Sequence, residues 1–250
     1  MSYTDREQTI LEYLQKSPSI SVRELTRLLF ASEATVRRDL KKLEEKGLII
    51  RAHGKAVSAS GYADRSVGFD VREASANPVK KRIAQAAVRD CVLDGMVIIL
   101  DASSTAMHAV EFLENAKDPI VITSGLKTAM LLSKTGIRFY STGGRSISVS
   151  SSFVGQTAID TVKTFNADVC FISCHGLSED GMATDTSEQE NDLRRAMMEQ
   201  SKRRVLLIDS SKIDKGCWHN LCSVSEFDDV YCDSTLPEKI MSKIRNFHII

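Results

Sequence analysis

The stretch from Ser32 to Gly47 constrains the fold of this chain more than any other, because it reads as one complete helix. Ser32 is suited to cap the N-terminus, and Glu33 stands in the first turn, where the helix dipole favours negative charge. Gly47 follows the last turn and ends the helix. Apolar residues with helical spacing form one narrow face, at Val36, Leu40 and Leu43. The helix therefore has one face to bury and another to present.

The second face of this helix carries hydroxyl and basic groups. A helix with that composition has the size and charge to enter the major groove of DNA. A solvated basic face that only balances Glu44 and Glu45 would show the same pattern, so the surrounding sequence has to decide. The candidate DNA contacts on the helix are Ser32, Thr35, Arg37, Arg38, Lys41 and Lys42.

The flanking sequence favours DNA binding. Residues 4–16 predict a first helix, and Ser21 and Glu24 have the spacing of a capping box that opens a second one. Three helices of which the last two are joined by a tight turn form a helix-turn-helix. Residues 48–57 then predict a β-hairpin, a wing suited to contact phosphate. The wing adds three candidate DNA contacts, Arg51, His53 and Lys55.

Residues 1–57 resemble the winged helix-turn-helix of the DeoR family of bacterial transcription regulators. The resemblance rests on Ser32-x-x-Thr35-Val36-Arg37-Arg38-Asp39-Leu40, on Leu43-Glu44-x-x-Gly47 and on Arg51-x-His53-Gly54. Lys55 stands where a second glycine is usual in the wing, which alters the tip of the hairpin. The resemblance implies that the partner of this region is double-stranded operator DNA.

The length of the chain predicts one small and one medium domain. A chain of 250 residues with 42% hydrophobic content can bury a sizeable core. We expect a DNA-binding domain at 1–57, a linker at 58–76 that begins with a small polar hinge, and a second domain at 77–250. The zero net charge conceals 11 Lys and Arg against 8 Asp and Glu in residues 1–57. One such module offers few phosphate contacts, so a homo-oligomer, a dimer or a tetramer, is expected.

The composition also predicts the compartment and the chemistry. No apolar run reaches the ~18 residues of a membrane span, and the first residues lack the pattern of a signal peptide. We therefore expect a cytoplasmic protein with reduced cysteines and no membrane partner. Cys217, His219 and Cys222 are close in sequence, but no paired C-x-x-C and no second cluster completes four zinc ligands. No metal and no cofactor are expected.

The sequence after residue 94 alternates between short apolar runs and amphipathic segments. This alternation predicts an α/β domain with a parallel sheet that helices cover on both faces. The predicted strands are 97–100, 120–123, 138–141, 169–173 and 205–209. The predicted helices are 105–114, 125–134, 155–165 and 188–201.

Small polar residues follow several of the predicted strands. Ligands of parallel sheets bind at the carboxyl ends of the strands, and hydroxyls together with free N–H groups bind anions such as phosphate. Helix capping alone would explain a single loop of this kind, but three loops at one edge favour a ligand. Asp101 could bind a hydroxyl and Lys212 could add positive charge, although an exposed surface lysine would fit the pattern equally well. The candidate effector residues at these strand ends are Asp101, Ser103, Ser104, Thr105, Thr123, Ser124, Gly143, Gly144 and Lys212.

Residues 77–235 resemble the sugar-phosphate-sensing domain of the same DeoR family. The domain is similar in fold to ribose-5-phosphate isomerase and glucosamine-6-phosphate deaminase. The matches include Lys81-x-Ile83-Ala84, Asp94-Gly95, Asp101-x-x-Ser104-Thr105, Val121-Ile122-Thr123, Gly143-Gly144, Glu190 and Asp209-x-Ser211-Lys212. Ser103 replaces a usual glycine, and Ser124 stands where asparagine is common. The resemblance implies a phosphorylated sugar effector, with Asp101, Thr123 and Glu190 facing its hydroxyls.

The two halves together predict a transcriptional regulator, a repressor of a carbohydrate operon that a sugar phosphate releases. A sugar-phosphate isomerase is the alternative from another class, since it needs a carboxylate base and Asp185, Glu188 and Glu190 are available. Glu188 and Glu190 also open a helix, where the dipole favours acids, and catalysis would leave residues 1–57 unexplained. A DNA-binding protein whose second domain only oligomerises is the third hypothesis. We expect that the protein is not an enzyme.

Overall fold

The computed structural model describes residues 3–16, 20–45, 49–52, 55–58, 68–74 and 77–250. The chain divides into two units, residues 1–77 and residues 78–250.

The first unit contains the helix-turn-helix and the wing that the sequence predicts. A three-stranded antiparallel sheet of order β1-β3-β2 accompanies the helices. The elements are α1 (Tyr3–Lys16), β1 (Ile20–Ser21), α2 (Val22–Leu29), α3 (Glu33–Glu45), β2 (Ile49–Ala52), β3 (Lys55–Ser58) and α4 (Phe69–Ala74). The short helix α4 lies inside the range expected as a linker, and it packs against β2.

Local capping explains where α2 begins and ends. The predicted capping box is confirmed, because Ser21 Oγ accepts the Glu24 N–H (3.1 Å) and the Glu24 carboxylate accepts the Ser21 N–H (2.8 Å). The helix ends at Phe30, which adopts the left-handed conformation with φ of 50°. This reversal turns the chain into α3, whose apolar residues join those of α1 and α2 in one small core. Leu28 of α2 stays outside this core and is substantially exposed.

The second unit is built on a seven-stranded sheet in which every pairing is parallel. Its order is β15-β14-β12-β9-β4-β5-β6. The strands are β4 (Val97–Leu100), β5 (Ile120–Thr123), β6 (Arg138–Ser141), β9 (Ala167–Ile172), β12 (Ser201–Leu207), β14 (Asp229–Cys232) and β15 (Asn246–Ile249). The helices are α5 (Asn77–Cys91), α6 (Ser104–Met107), α7 (Val110–Leu113), α8 (Leu126–Leu132), α9 (Gln156–Lys163), α10 (Glu188–Glu199) and α11 (Glu238–Met241).

The predicted α/β class with a parallel sheet is confirmed, and the sheet is buried on both faces. Ile98 and Leu100 of β4 contribute to one apolar cluster, while Ile99 contributes to the other. Strands with this environment are apolar at every position, which is why they could be recognised in the sequence. The predicted helix 105–114 is different, because it forms as the two short helices α6 and α7.

Several short antiparallel strands escaped the sequence analysis. A hairpin consists of β7 (Arg145–Ile147) and β8 (Ser152–Val154), and a small sheet of order β10-β11-β13 stands beside the main one. Its strands are β10 (Gly176–Leu177), β11 (Met182–Asp185) and β13 (His219–Ser223). Both pieces follow the carboxyl ends of parallel strands, so they surround the region where a ligand of this sheet would bind.

Candidate nucleic-acid interface and effector site

The capping of α3 fixes the start of the candidate DNA-binding surface. Ser32 Oγ accepts the Thr35 N–H (3.2 Å) and lies 2.9 Å from Thr35 Oγ1. The hydroxyls of both residues are thus held together at the first turn of the helix. In helix-turn-helix proteins, the N-terminal residues of the second helix are the ones that meet base edges.

The basic residues of α3 lie opposite its buried face. Val36, Leu40 and Leu43 are almost fully buried, and Arg37, Arg38, Lys41 and Lys42 are exposed. Arg37 makes a long ion pair with Glu33 (3.5 Å) between two largely exposed side chains. Arg38 makes no ion pair with any residue that the structure describes. Its guanidinium group is therefore available to an external acceptor.

A buried ion pair that the sequence analysis missed holds α3 against α1. Asp39 is fully buried, and its carboxylate accepts Arg6 Nε at 2.7 Å and Arg6 Nη2 at 3.4 Å. Asp39 is part of the motif from which the family resemblance was drawn, and its position between Arg38 and Leu40 suggested no partner. The pair fixes the rotation of α3, because it lies on the side of the helix opposite the exposed cations.

The wing residues play different parts in the structure. The Arg51 guanidinium lies 2.6 Å from a Glu44 carboxylate oxygen, and the Arg51 N–H also donates to Glu44, so β2 is tied to α3. Lys55 is exposed at the first residue of β3. His53 lies outside the described residues. Of the two described wing cations, Lys55 is the one that remains open to a phosphate.

The strand order of the second unit locates a ligand crevice at its centre. The order reverses between β4 and β9, and the crevice of such sheets opens at the carboxyl ends of the strands beside this reversal. Asp101 follows β4 and Ser173 follows β9, and the Ser173 N–H donates to the Asp101 carboxylate (3.2 Å). Thr123 ends the neighbouring strand β5, and Ser124 follows it. We call this region the carboxyl edge.

A buried ion network occupies the carboxyl edge. Arg194 Nε donates to Asp101 (2.9 Å) and Arg194 Nη1 donates to Asp185 (2.7 Å), while His175 Nδ1 lies 3.0 Å from the same Asp185 oxygen. Burial disfavours the charged guanidinium, but Asp185, Asp101 and Glu190 outweigh it and hold the pKa of Arg194 above its usual value. Asp101, which was expected to face sugar hydroxyls, is thus engaged by Arg194 and by the N–H groups of Ser103 and Ser173.

The hydroxyl residues of the first loop are buried, and one of them is a cap. Ser103 Oγ accepts the Ala106 N–H (3.0 Å) at the start of α6, which is the structural role that competed with phosphate binding. Ser104 and Thr105 are nearly inaccessible in the following turn. Thr123 Oγ1 accepts the Gly125 N–H (3.0 Å), so it also supports its own loop.

Two buried lysines bring positive charge to the carboxyl edge. Lys80 of α5, which the sequence analysis did not single out, is 1% exposed and its Nζ lies 3.4 Å from Ser104 Oγ. Burial and the charge of Lys80 lower the pKa of His108 in the next turn. Lys212 is 6% exposed, so the alternative of an exposed surface lysine is wrong. Burial raises the pKa of Cys174 to about 12, a rise that the nearby Lys212 charge opposes.

A small recess at the carboxyl edge collects some of the predicted effector residues. It is narrow, with a cavity volume of about 10 Å³, and Asp101, Ser124 and Glu190 line it together with Ser152 and Arg194. Glu190 Oε1 accepts a hydrogen bond from Ser152 Oγ (2.5 Å). Gly143 and Gly144 lie between β6 and the hairpin, and both have positive φ. A Cβ on Gly144 would come within 2.6 Å of the Val154 carbonyl oxygen, so the hairpin needs glycine there.

Sequence signals for the missed residues were present in part. Lys80 precedes Ile83 and Ala87 by three and seven positions, which places it on the buried face of α5. Arg194 likewise precedes Met197, a buried residue of α10, by three positions. Both positions are unusual for a charged residue, and a buried charge requires a partner. Nothing in the sequence indicated that Arg194 would join Asp101 to Asp185.

Within the described ranges, no group of three His, Cys, Asp or Glu side chains could hold a metal ion. None of the described helices combines the length and the apolar character that crossing a membrane requires.

The sequence is similar to known regulators over its whole length. The DeoR-like helix-turn-helix domain matches residues 6–61, and the DeoR C terminal sensor domain matches residues 76–234. The L-fucose operon activator of Haemophilus influenzae is 32% identical, with 94% of each chain covered. The glycerol-3-phosphate regulon repressor of Escherichia coli is 28% identical, with 100% of this chain and 98% of the relative covered.

Among solved structures, ribose 5-phosphate isomerase A from Methanocaldococcus jannaschii matches with a TM-score of 0.42 at 20% identity, over 56% of this chain and 55% of that chain.

The two domain matches together span most of the chain and correspond to its two structural units. The chain therefore belongs to the DeoR family of transcriptional regulators.

Proposed function

We propose that this protein represses a carbohydrate-metabolism operon and leaves its operator when a phosphorylated sugar binds the second unit. The observation that carries the effector part is the burial of two lysines, Lys80 and Lys212, at an edge lined by serine and threonine hydroxyls. Positive charge beside a ligand crevice attracts an anionic ligand, and phosphate is the common anionic group of sugar metabolites. Membership of the DeoR family supports the binding of operator DNA by the first unit.

On the DNA side, we assign base reading to α3 and phosphate contact to its surroundings. Arg38 suits guanine best, because its planar fork can donate to O6 and N7 together. Thr35, Arg37 and Lys41 are the further base or backbone contacts, and Ser32, Lys42 and Lys55 hold phosphates. Arg51 orients the wing through Glu44. The expectation for His53 stays as the sequence analysis gave it.

On the effector side, we assign the phosphate to Ser104, Thr105, Lys80 and Lys212. Thr123, Ser124 and Glu190 bind the sugar hydroxyls. The loops around them are shaped by Ser103, Gly143 and Gly144. Asp101 acts through Arg194, which it holds in place, and through the N–H groups of its own loop.

We propose binding without turnover at this site. A general base for isomerisation must accept a proton from a sugar carbon. Arg194 engages the carboxylates of Asp101 and Asp185, so these two acids are already held by a buried cation. These contacts favour a sensor over an isomerase.

Two relatives indicate both directions of control. One is named as an operon activator and the other as a regulon repressor. We place this protein with the repressors and in the cytoplasm, where its operator DNA lies. One DNA-binding module carries a small positive balance, so a homo-oligomer that engages repeated half-sites is part of the proposal.

Reciprocal titration of the full-length protein tests the proposal. The operator probe is the tightest duplex that the protein selects from a random library, and the effector probes are hexose 6-phosphates, pentose 5-phosphates and glycerol 3-phosphate. A sugar phosphate that weakens operator binding by some factor must bind the operator complex more weakly by the same factor.

Each outcome of this titration has a separate meaning. Binding of a sugar phosphate with equal affinity to free and operator-bound protein would contradict control by that ligand. Conversion of any probe to an isomer, followed by NMR, would instead support the enzyme. A tighter operator complex in the presence of the ligand would identify an activator or a co-repressor response.

A further inference from the structure

The hairpin of β7 and β8 delivers one serine to the recess. The Phe153 N–H donates to the Ser124 carbonyl (2.8 Å), and the Leu126 N–H donates to the Ser151 carbonyl (2.8 Å). These two bonds hold the backbone of Ser152 against the loop that follows β5. The hairpin is therefore fixed to one of the loops assigned to the effector.

A chain of three side chains runs from the hairpin to α10. Ser152 is 1% exposed, and its hydroxyl donates to Glu190 Oε1 (2.5 Å). Ser150 Oγ lies 2.8 Å from Ser152 Oγ and can donate to it. Since a serine hydroxyl has a single proton, the proton of Ser152 is committed to Glu190. This bond fixes the orientation of the carboxylate.

Glu190 has one oxygen left for a ligand. Its Oε2 accepts no hydrogen bond from the part of the chain that the structure describes, and the side chain lines the recess with Asp101 and Ser124. An ionised carboxylate only accepts hydrogen bonds, and those it accepts are about twice as strong as neutral ones. A carboxylate held in one orientation therefore suits a hydroxyl that donates from one direction.

We infer that Ser152 and Glu190 form a hydroxyl-reading pair, which selects the stereochemistry of the bound sugar at one carbon. This inference rests on the proposed sugar-phosphate effector. Ser152 is the positioning residue and Glu190 makes the contact. An epimer presents its hydroxyl from the other side of the ring, so it makes no hydrogen bond to this carboxylate oxygen and binds more weakly. A purely structural role would tie the hairpin to α10 without affecting the choice of sugar.

Calorimetry of the full-length protein with matched epimers tests the pair. The probes are glucose, galactose and mannose 6-phosphates, fructose and tagatose 6-phosphates, and glycerol 3-phosphate as a probe without a sugar ring. We expect the wild type to prefer one member of an epimeric pair. Ser152→Ala should reduce that preference about tenfold and change the affinity for glycerol 3-phosphate, which has no ring epimer, by a smaller factor. The matched control is Ser146→Ala in the same hairpin, where the serine is exposed.

The outcomes separate this inference from the function on which it rests. A wild type that binds no sugar phosphate would overturn both. A wild type that binds all epimers equally, or a Ser152→Ala variant that keeps the wild-type preference while all affinities fall together, would overturn only the hydroxyl-reading pair. If Ser152→Ala does not fold by circular dichroism, Glu190→Gln decides, because it keeps the size of the side chain and should lose the same preference.

Discussion

The two candidate sites of this protein hold their charges in opposite ways. The cations of α3 are exposed, and Arg38 makes no ion pair with the described residues. At the carboxyl edge, Arg194 is buried and engages two buried aspartates. In the first arrangement the positive charge is available to a polyanion such as DNA. In the second it holds the buried side chains of a pocket in place. A surface that must bind DNA reversibly needs the former, and a site that must distinguish small ligands needs the latter.

This contrast predicts that the same substitution will damage the two regions differently. Removing an exposed cation of α3 should weaken binding and leave folding intact, because no buried group loses its partner. Removing a cation of the carboxyl edge should weaken folding first, because it leaves buried carboxylates unpaired. Stability and binding therefore become separate readouts for the two regions.

The largest effect is expected for Arg194→Met. The variant keeps most of the side-chain volume but leaves Asp101 and Asp185 without the guanidinium, which should lower the free energy of unfolding of the second unit by about 3–5 kcal/mol. Urea denaturation followed by circular dichroism measures the loss. Arg82→Met is the matched control, because Arg82 is exposed on α5, and it should change stability by no more than about 0.5 kcal/mol. Equal stabilities of the two variants would mean that the network contributes nothing.

The same contrast explains what the sequence could predict. The α3 surface could be predicted because helical spacing separates Val36, Leu40 and Leu43 from the exposed cations. The strands β4 and β5 were located with their observed bounds, because the central strands of a parallel sheet read as nearly continuous apolar runs. Both predictions depend only on local periodicity.

The contacts that escaped prediction join residues far apart in the sequence. Asp101 and Arg194 are 93 positions apart, and Ser152 and Glu190 are 38 apart. No local pattern specifies which of several acids a buried arginine will meet. The strands β7 and β8 have only three residues each and mix polar with apolar positions, so the alternation rule did not detect them. The assignment of Asp101 to sugar hydroxyls stays a prediction. In the structure the Asp101 carboxylate accepts a hydrogen bond from Arg194.

The second largest effect is expected for Arg38→Ala, and it falls on binding alone. Loss of a bidentate contact to guanine should cost about 1–3 kcal/mol on the selected operator. The free energy of unfolding should not change, because no described residue pairs with Arg38. Fluorescence anisotropy with labelled operator, at fixed moderate salt, measures the affinity.

Lys55→Ala is the comparison for Arg38→Ala. Loss of a phosphate contact should weaken binding to the operator and to a random duplex alike. It should also reduce the slope of log affinity against log salt by about 1. If Arg38→Ala also weakened both duplexes equally, Arg38 would be a phosphate contact and base reading would lie elsewhere on α3.

A smaller effect concerns the turn that joins α2 to α3. Phe30 has φ of 50° and is 97% exposed, so its backbone is strained and its ring contributes little to the core. Phe30→Gly should raise the stability of the first unit by about 0.5–1 kcal/mol, because glycine adopts this conformation without the strain. Phe30→Ala keeps the Cβ and should give no such gain. Thermal unfolding of the two variants would contradict the explanation if alanine stabilised as much as glycine.

The smallest effect is expected for an ion pair of the second unit that lies near the surface. The Asp168 carboxylate accepts Lys202 Nζ (2.8 Å) and the Val97 N–H (2.9 Å), and these bonds lower its pKa. A depressed pKa contributes stability that is present above the unfolded value of about 3.9 and is lost as the pH falls through the folded value. Asp168→Asn should therefore cost less than about 1 kcal/mol at pH 6, and the difference from wild type should shrink towards pH 3. Urea denaturation at pH 6, 4, 3.5 and 3 follows this difference. A loss as large as that of Arg194→Met would show that charges matter throughout this unit and that burial is not what separates the two sites.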